Sequence, residues 1–220
     1  MNLSELLTLA APVLLKGAGY TLIFAFSAMV GGLLVGILLA VARIVPSKWT
    51  QIPARVYVSM MRGTPLLVQV FIVYYGLPSI GISFTPLTAG ILALSLNAGA
   101  YISESLRGAI LGISTGQWHA GYSLGFSYWQ NLHYVVLPQA FRLAVPAMSN
   151  SLISLIKDTS LVSVITVTEL LLATKDVIAT TFQPLPLYMA AAGIYWVMSL
   201  VLEQVQGRLE RYFGRSVRRV

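Results

Sequence analysis

The sequence predicts an all-α integral membrane protein with five transmembrane helices and a two-helix loop in the cytoplasm. Hydrophobic residues make up 57% of the chain and charged residues only 10%, whereas a soluble domain carries about 25% charged residues. The apolar residues also fall in long uncharged runs, and a helix needs roughly 20 such residues to cross a bilayer. We therefore expect residues 1–220 to form a single transmembrane domain.

The composition argues against several other classes of protein. The chain has no cysteine, which excludes disulfides, metal–thiolate sites and a cysteine nucleophile. Its two histidines have no suitably placed carboxylate, so we predict no metal site. The net charge of +7 is explained by basic cytoplasmic loops better than by a nucleic acid partner. Residues 1–11 lack the basic region of a removable signal peptide, so the first apolar segment should stay in the membrane.

The first predicted membrane helix covers residues 17–42, an uncharged run bounded by Lys16 and Arg43. Ahead of it, residues 2–15 are moderately apolar and predict a short interfacial helix that a proline bends. The glycines within the first helix form a face of small residues, which lets helices approach closely. This face could serve a dimer interface or packing within the chain. It contains Gly31, Gly32, Gly36 and Ala40.

Four further apolar regions complete the predicted fold. The fourth of the five regions is interrupted by Lys157 and Asp158. Prolines and glycines predict an exposed turn after the second region, and the stretch before the last helix is predicted to be a loop. The predicted helical regions are 56–77, 87–109, 143–172 and 187–202, with the turn at 77–86 and the loop at 174–186.

Basic residues predict the orientation in the membrane. With five helices the two termini lie on opposite sides. One side would hold only Lys16 and Lys175, and the other holds ten basic residues, which should face the cytoplasm. The N-terminus is therefore predicted outside and the C-terminus inside. The ten residues are Arg43, Lys48, Arg55, Arg107, Arg142, Arg208, Arg211, Arg215, Arg218 and Arg219.

Residues 114–140 are too polar to span a bilayer and predict two short helices joined by a glycine elbow. Gly125 can take the left-handed conformation that ends a helix. Pro138, which has no N–H to donate, should end the second helix. Each helix begins with the S-x-x-Q spacing of a capping box, in Ser114 with Gln117 and in Ser127 with Gln130.

This stretch resembles the EAA loop, the cytoplasmic coupling loop of ABC-type import permeases. The family pattern is E-A-A, three residues, G, nine residues, an isoleucine and then L-P. Two departures matter: His119 replaces the glutamate and Gly121 replaces the second alanine. The matching positions are His119-Ala120-Gly121, Gly125, Val135 and Leu137-Pro138.

Two other segments are similar to those of the polar-amino-acid uptake branch of this family. They are Arg62-Gly63-Thr64-Pro65 and Lys157-Asp158-Thr159-Ser160-Leu161. With the EAA-like loop, the resemblance covers nearly the whole chain. It implies a MetI-like type I importer permease fold in the bacterial inner membrane. It also implies that the chain pairs with a second permease chain, identical or different.

The resemblance further implies the division of labour among partners. Two ATP-binding-cassette ATPases would grip the coupling loop, and an extracytoplasmic amino-acid-binding protein would deliver the substrate. ATP and Mg would be held by the ATPases, because this chain lacks the G-x-x-x-x-G-K-[ST] loop. The chain itself is then a transport subunit without a cofactor, and not an enzyme. The implied coupling residues are Gln117, Trp118, His119, Ala120, Gly121, Leu124 and Gly125.

Aromatic residues are dense in the predicted coupling loop. Such residues are enriched at protein interfaces, and also at the membrane surface, so both interpretations remain open. They are Trp118, Tyr122, Phe126, Tyr128 and Trp129. His119 could be a pH-sensitive replacement for a carboxylate, because histidine titrates near neutrality, or a polar surface contact.

Charged residues inside apolar segments are candidate pathway residues. Arg62, Lys157 and Asp158 would each cost roughly 2.5–3.5 kcal/mol at the bilayer centre. They should therefore face the interior of the bundle or an aqueous path. Asp158 could pair with Arg62, or with a zwitterionic amino acid. A structural ion-pair network, or side chains that reach the membrane surface, is the alternative.

Polar residues on the third predicted helix extend this set. Asn97, Tyr101 and Glu104 share one helical face and could line a polar route. Glu104 is also spaced to form an ordinary salt bridge with Arg107. The resemblance adds Thr159 and Ser160 to the candidate substrate-pathway residues.

The favoured prediction is a permease subunit of an ATP-driven importer for polar amino acids. An ion-gradient-driven secondary transporter is one alternative, although a single membrane carboxylate offers little for a coupling-ion site. A non-transporting membrane scaffold is the other. Uptake that survives ATP depletion would favour the first alternative, and absence of substrate-dependent ATPase activity would favour the second.

Overall fold

A computed structural model describes residues 2–214, in which every regular element is helical and no strand is formed. Arg215, Arg218 and Arg219 of the predicted basic tail lie outside the described residues. The helices are α1 (Leu3–Ile44), α2 (Lys48–Gly63), α3 (Leu66–Phe71), α4 (Pro86–Leu111), α5 (Thr115–Ser123), α6 (Tyr128–Asn131), α7 (Leu137–Asp158), α8 (Leu170–Thr181) and α9 (Pro184–Gly214). Two π-helical turns, Ile72–Gly76 and Leu132–Val136, and two 3₁₀ turns, Leu77–Ile80 and Thr159–Ile165, connect some of them.

Helix α1 is continuous from the start of the described chain, so the separate interfacial helix predicted at residues 2–15 is wrong. The helix runs through Pro12 without ending. One face of this N-terminal part, formed by Leu6, Ala10 and Leu14, is buried against α8 and α9. Burial of this face keeps the segment helical, because tertiary packing outweighs the lost backbone hydrogen bond of one proline.

The small-residue face of α1 packs against α4 within the same chain. A Cβ atom added at Gly31 would lie 2.4 Å from the Ser95 Oγ, and one at Gly36 would lie 2.7 Å from the Ile102 Cγ2. These distances leave no room for a Cβ atom, so the glycine backbone of α1 packs directly against side chains of α4. Of the two interpretations of this face, the structure supports packing within the chain.

The second predicted helix is bent instead of straight. Helix α2 and the segment Leu66–Ile80 meet at an angle of 109°. Between them Thr64 is extended, with φ −117° and ψ 147°. The cause is Pro65, because a proline disfavours the helical conformation of the residue before it. We call this break, Thr64-Pro65, the bend.

Pro138 does not end the second coupling helix, which corrects the prediction. Helix α6 passes through a π-helical turn directly into α7, and Pro138 lies in the first turn of α7. In the π turn the Leu137 N–H donates to the Leu132 carbonyl, five residues back. A wider turn relieves the clash of a proline ring with the preceding turn. The same arrangement precedes Pro78.

The fourth predicted region, residues 143–172, is interrupted where its charges indicate. Helix α7 ends at Asp158, a 3₁₀ turn follows, and α8 begins at Leu170. Helix α8 occupies most of residues 174–186, so the prediction of a loop there is wrong. Its N-terminus is fixed by Glu169, whose carboxylate accepts from the Leu172 N–H at 2.8 Å and the Tyr195 hydroxyl at 2.5 Å.

Three of the described helices, α1, α4 and α9, are long and apolar enough to cross a membrane, and the bent pair makes a possible fourth span. Helix α7 does not reach this level of apolarity. Charged side chains at its two ends and the polar residues 149–151 between them lower its hydropathy. The fifth span, and the orientation of the termini, therefore stay predictions.

Candidate functional site

The coupling loop, residues 114–140, contains the glycine elbow that the sequence predicts. Gly125 has φ +81° and ends α5. Its N–H donates to the Tyr122 carbonyl at 2.9 Å, and the Phe126 N–H donates to the Gly121 carbonyl at 3.2 Å. This pair of bonds is the Schellman motif, in which glycine takes the left-handed position. The direction of the chain between α5 and α6 is thereby fixed.

Only the second of the two predicted capping boxes forms. The Ser127 Oγ accepts from the Gln130 N–H at 3.4 Å, and the Gln130 Oε1 accepts from the Ser127 N–H at 2.9 Å. Ser114 occupies the N-cap of α5 without a side-chain bond. The side chain of Gln117, the other member of this predicted box, accepts from the Gln139 Nε2 at 3.1 Å. That bond ties α5 to α7.

A buried asparagine explains one departure from the family pattern. Asn131 is fully buried, and its Nδ2 donates to the Trp118 carbonyl at 2.8 Å. A Cβ atom added at Gly121 would lie only 2.1 Å from the Asn131 Oδ1. Gly121 therefore leaves the space that Asn131 fills. Sequence reasoning missed Asn131, because nothing in its spacing indicates that it is buried.

The aromatic residues of the coupling loop divide into two groups. Trp118 stacks on Tyr128 with ring centroids 5.7 Å apart, and so braces α5 against α6. Burial raises the pKa of the Tyr128 phenol, as does the nearby Tyr122. In contrast, the aromatic Trp129 is exposed. The apolar side chain of Leu124 is 74% exposed as well. The predicted coupling residues Gln117, His119 and Ala120 are also exposed.

A second candidate site lies between the bend, α4 and α7. It is a cavity of about 510 Å³, here called the polar cavity. Three of the predicted pathway residues meet in it, although they come from distant parts of the sequence. Its polar lining residues are Thr64, Asn97, Tyr101, Asn150, Ser151, Ser154 and Asp158.

Two amide side chains hold the bend beside this cavity. The Asn97 Nδ2 donates to the Gln69 Oε1 at 2.9 Å and to the Met61 carbonyl at 3.1 Å. The Gln69 Nε2 donates to the carbonyls of Met61 at 2.8 Å and Thr64 at 3.1 Å. The backbone groups that the bend frees are thus satisfied inside the protein. Sequence reasoning missed Gln69, whose only signal was a polar residue in an apolar run.

Glu104 does not line the polar cavity and instead forms an arginine cluster at the end of α4. Its carboxylate binds Arg43 at 2.6 Å and also Arg107, as one of the two interpretations predicts. Arg62 lies 3.9 Å from the same carboxylate and 5.4 Å above the ring centre of Tyr101. The candidate pair of Arg62 with Asp158 is therefore not formed.

The remaining predicted pathway residues lie elsewhere. Lys157 and Ser160 line a separate groove of about 510 Å³ between α7 and α9, together with Glu203. Thr159 is buried, and its hydroxyl donates to the Ile156 carbonyl at 2.7 Å. Within residues 2–214 no three or more potential ligand side chains of the His, Cys, Asp or Glu type are grouped as a metal site would require.

Apolar helices around a polar cavity, with a rigid two-helix loop at one end, define the membrane subunit of a transport system. The chain belongs to the family of binding-protein-dependent transport system inner membrane components, whose model matches residues 32–215.

Individual relatives agree with this assignment. The chain is 41% identical to the probable amino-acid ABC transporter permease protein YckA of Bacillus subtilis (strain 168), over 94% of this chain and 91% of that protein. It is 42% identical to the L-cystine transport system permease protein TcyB of the same strain, over 94% and 88%.

A solved structure gives the same result for the fold. It is described as the crystal structure of an amino acid ABC transporter with histidines, and it superposes on this chain with a TM-score of 0.92. The sequence identity is 32%, and the match covers 96% of this chain and 99% of that one. The predicted MetI-like permease fold is therefore confirmed.

Proposed function

We propose that this chain is the permease subunit of an ATP-binding-cassette importer for polar amino acids. It would form the translocation pathway with a second permease chain, identical or different. Two ATPase subunits, which bind ATP and Mg, would drive transport from the cytoplasmic side. An extracytoplasmic amino-acid-binding protein would deliver substrate to the outer face. The N-terminus would lie outside and the C-terminus in the cytoplasm of a bacterial inner membrane.

The observation that carries this proposal is the rigid connection from the coupling loop to the polar cavity. Helix α6 continues through a π turn into α7, so the two move together. Helix α5 is fastened to them through Asn131 and through the Gln117–Gln139 bond. Asp158, which lines the cavity, is the last residue of α7. A partner that shifts α5 would therefore displace the wall of the cavity as a rigid body.

The surface that an ATPase would grip is the exposed side of α5. Gln117, His119, Ala120 and Leu124 are exposed, whereas Gly121 is buried against Asn131. In this proposal His119 and Leu124 touch the ATPase groove directly. Gly121 and Gly125 act indirectly, because they set the position and direction of α5.

The polar cavity fits an amino acid as the transported solute. Its amide, hydroxyl and phenol groups can exchange hydrogen bonds with a polar solute, and Asp158 can attract an ammonium group. No basic residue lines this cavity among the described residues, although the neighbouring Lys157 interacts electrostatically with Asp158 from outside it. An α-amino group of the substrate would bring a positive charge into the cavity itself during passage.

The test is uptake into proteoliposomes that contain the chain, its ATPase and its binding protein. Uptake of one or more polar amino acids should require ATP. Asp158→Asn should reduce the uptake rate at least several-fold with normal assembly, whereas Asp176→Asn, an exposed carboxylate outside the cavity, should leave uptake unchanged. Uptake without ATP, driven by an ion gradient, would refute the importer. Loss of assembly in proportion to uptake would remove Asp158 from the pathway.

A further inference from the structure

A third cavity lies between the coupling loop and the ends of two membrane helices. Its volume is about 850 Å³, and we call it the arginine pocket. Three arginines and three aromatic residues give it its character. They are Arg43, Arg55, Arg107, Trp118, Tyr122 and Tyr128.

The arginine pocket has an excess of positive charge. No carboxylate lines it within the described part of the chain. Glu104 lies behind the pocket and pairs with Arg43 and Arg107, which leaves two of the three arginine charges uncompensated. The third arginine, Arg55, donates to a neutral group, the Gln51 Oε1, at 3.0 Å. In addition, the Arg43 Nε is a buried donor for which residues 2–214 provide no acceptor.

The position of the pocket indicates a membrane surface. Arg43 lies in the last turn of α1, and Arg107 lies just before the last turn of α4. Both helices are apolar enough to span a bilayer. Apolar side chains of the same helix ends also line the pocket, including Ile44 and Leu111, and Leu111 is 68% exposed. Tryptophan and tyrosine are the residues typical of the membrane–water boundary. The pocket is therefore basic and aromatic on one side and apolar on the other.

We propose that the arginine pocket binds the phosphate headgroup of an anionic phospholipid. Arginine suits this ligand because its planar guanidinium binds phosphate through two parallel hydrogen bonds. Basic pockets between membrane helices recognise such headgroups. The apolar wall at Ile44 and Leu111 favours a lipid over an acidic side chain of a partner protein, because acyl chains can cover it. A bound lipid would link the middle of α2 and the ends of α1 and α4 to the coupling loop.

The experiment uses the purified assembly of permease and ATPase in a neutral detergent. The probe is short-chain phosphatidylglycerol with a fluorescent acyl label, followed by anisotropy. Arg55→Gln should weaken binding about fivefold, the effect of one basic residue at a lipid surface. Lys48→Gln is the matched control, since Lys48 is an exposed cation of the same helix outside the pocket. Arg55 takes no part in the Glu104 cluster, so folding should be preserved.

Competition distinguishes the sources of the phosphate. Unlabelled phosphatidylglycerol should displace the probe, whereas phosphatidylcholine and millimolar inorganic phosphate should not. Displacement by inorganic phosphate would assign the pocket to a free anion and refute the lipid site. If Arg55→Gln and Lys48→Gln weaken lipid binding equally, the lipid is attracted by the general positive charge of the surface, and the specific site is refuted. If the Arg55→Gln variant no longer holds the ATPase but binds lipid as before, the pocket contacts the ATPase, and the lipid site is refuted. Each outcome is independent of ATP-driven uptake.

Discussion

At the scale of single residues, the coupling loop depends on the fit between Gly121 and Asn131. Gly121→Ala should push the Asn131 side chain out of its place, because the added methyl group would overlap its amide. Overpacking of this kind costs about 1–3 kcal/mol. We expect a lower thermal stability of the purified assembly and weaker co-purification of the ATPase.

Two further variants make this test specific. Gly116→Ala adds the same methyl group to α5 where the nearest atom, the Ser114 Oγ, is 3.9 Å away, and it should be neutral. Asn131→Ser, combined with Gly121→Ala, should recover part of the lost thermal stability, because the shorter serine side chain leaves room for the added methyl group. If the double variant is as impaired as the sum of the two single variants, the two residues do not act as a fitted pair.

Residues with local partners could be predicted from the sequence, and those with distant partners could not. Gly125 and the Ser127–Gln130 box depend on a few neighbouring residues and form as their spacing predicts. The same spacing at Ser114 and Gln117 gives no box, and the Gln117 side chain bonds Gln139 on another helix. Asn131 and Gln69 were missed because their hydrogen bonds join separate helices. Arg62 was correctly expected to need a partner, but Glu104 and not Asp158 lies within reach.

At the scale of helices, the bend at Thr64-Pro65 is held by the pair of Gln69 and Asn97. Gln69→Leu should lower transport, because it removes the bonds of Gln69 to Asn97 and to the carbonyls of Met61 and Thr64. The Met61 carbonyl keeps the bond from the Asn97 Nδ2, whereas the Thr64 carbonyl keeps none within residues 2–214. Each lost bond contributes roughly 1 kcal/mol. The measurement is thermal stability together with the uptake rate in proteoliposomes.

The same pair allows a double-mutant cycle. Since Gln69 and Asn97 share one network, Asn97→Leu should add little to the loss caused by Gln69→Leu. Fully additive losses from the two changes would mean that the network does not hold the bend.

Helix positions in the sequence were predictable where apolarity alone decides them. The uncharged runs of α1, α4 and α9 were identified, although α9 is longer at both ends than predicted. Helix α8 was missed because its start depends on Glu169, whose partners Leu172 and Tyr195 include a residue on another helix. The sequence did not predict that the helix continues past Pro138, because a proline usually marks a helix end. Here a π turn precedes the proline and lets the helix continue.

At the scale of the whole molecule, the orientation is open to a direct test. A cysteine at Ser127, in the coupling loop, should resist membrane-impermeant thiol reagents in intact cells. A cysteine at Ser83, before α4, should react. Both positions are exposed, and the natural chain has no cysteine to give background labelling. The reverse pattern would place the coupling loop outside the cell and exclude a cytoplasmic ATPase as its partner.

The central claim is that the coupling loop transmits ATP hydrolysis to transport, and Gly125→Val tests it most directly. A β-branched residue in the left-handed conformation costs on the order of 1–2 kcal/mol, which is enough to redirect α6 relative to α5 but too little to unfold the membrane helices. Asparagine tolerates this conformation, so Gly125→Asn is the matched control.

The measurement is substrate-stimulated ATP hydrolysis in reconstituted membranes, together with co-purification of the ATPase. We expect Gly125→Val to insert and dimerise normally, yet to hold the ATPase more weakly or to lose stimulation by substrate, while Gly125→Asn keeps both. Normal ATPase binding and normal stimulation in Gly125→Val, at normal expression, would contradict the role of this loop in coupling.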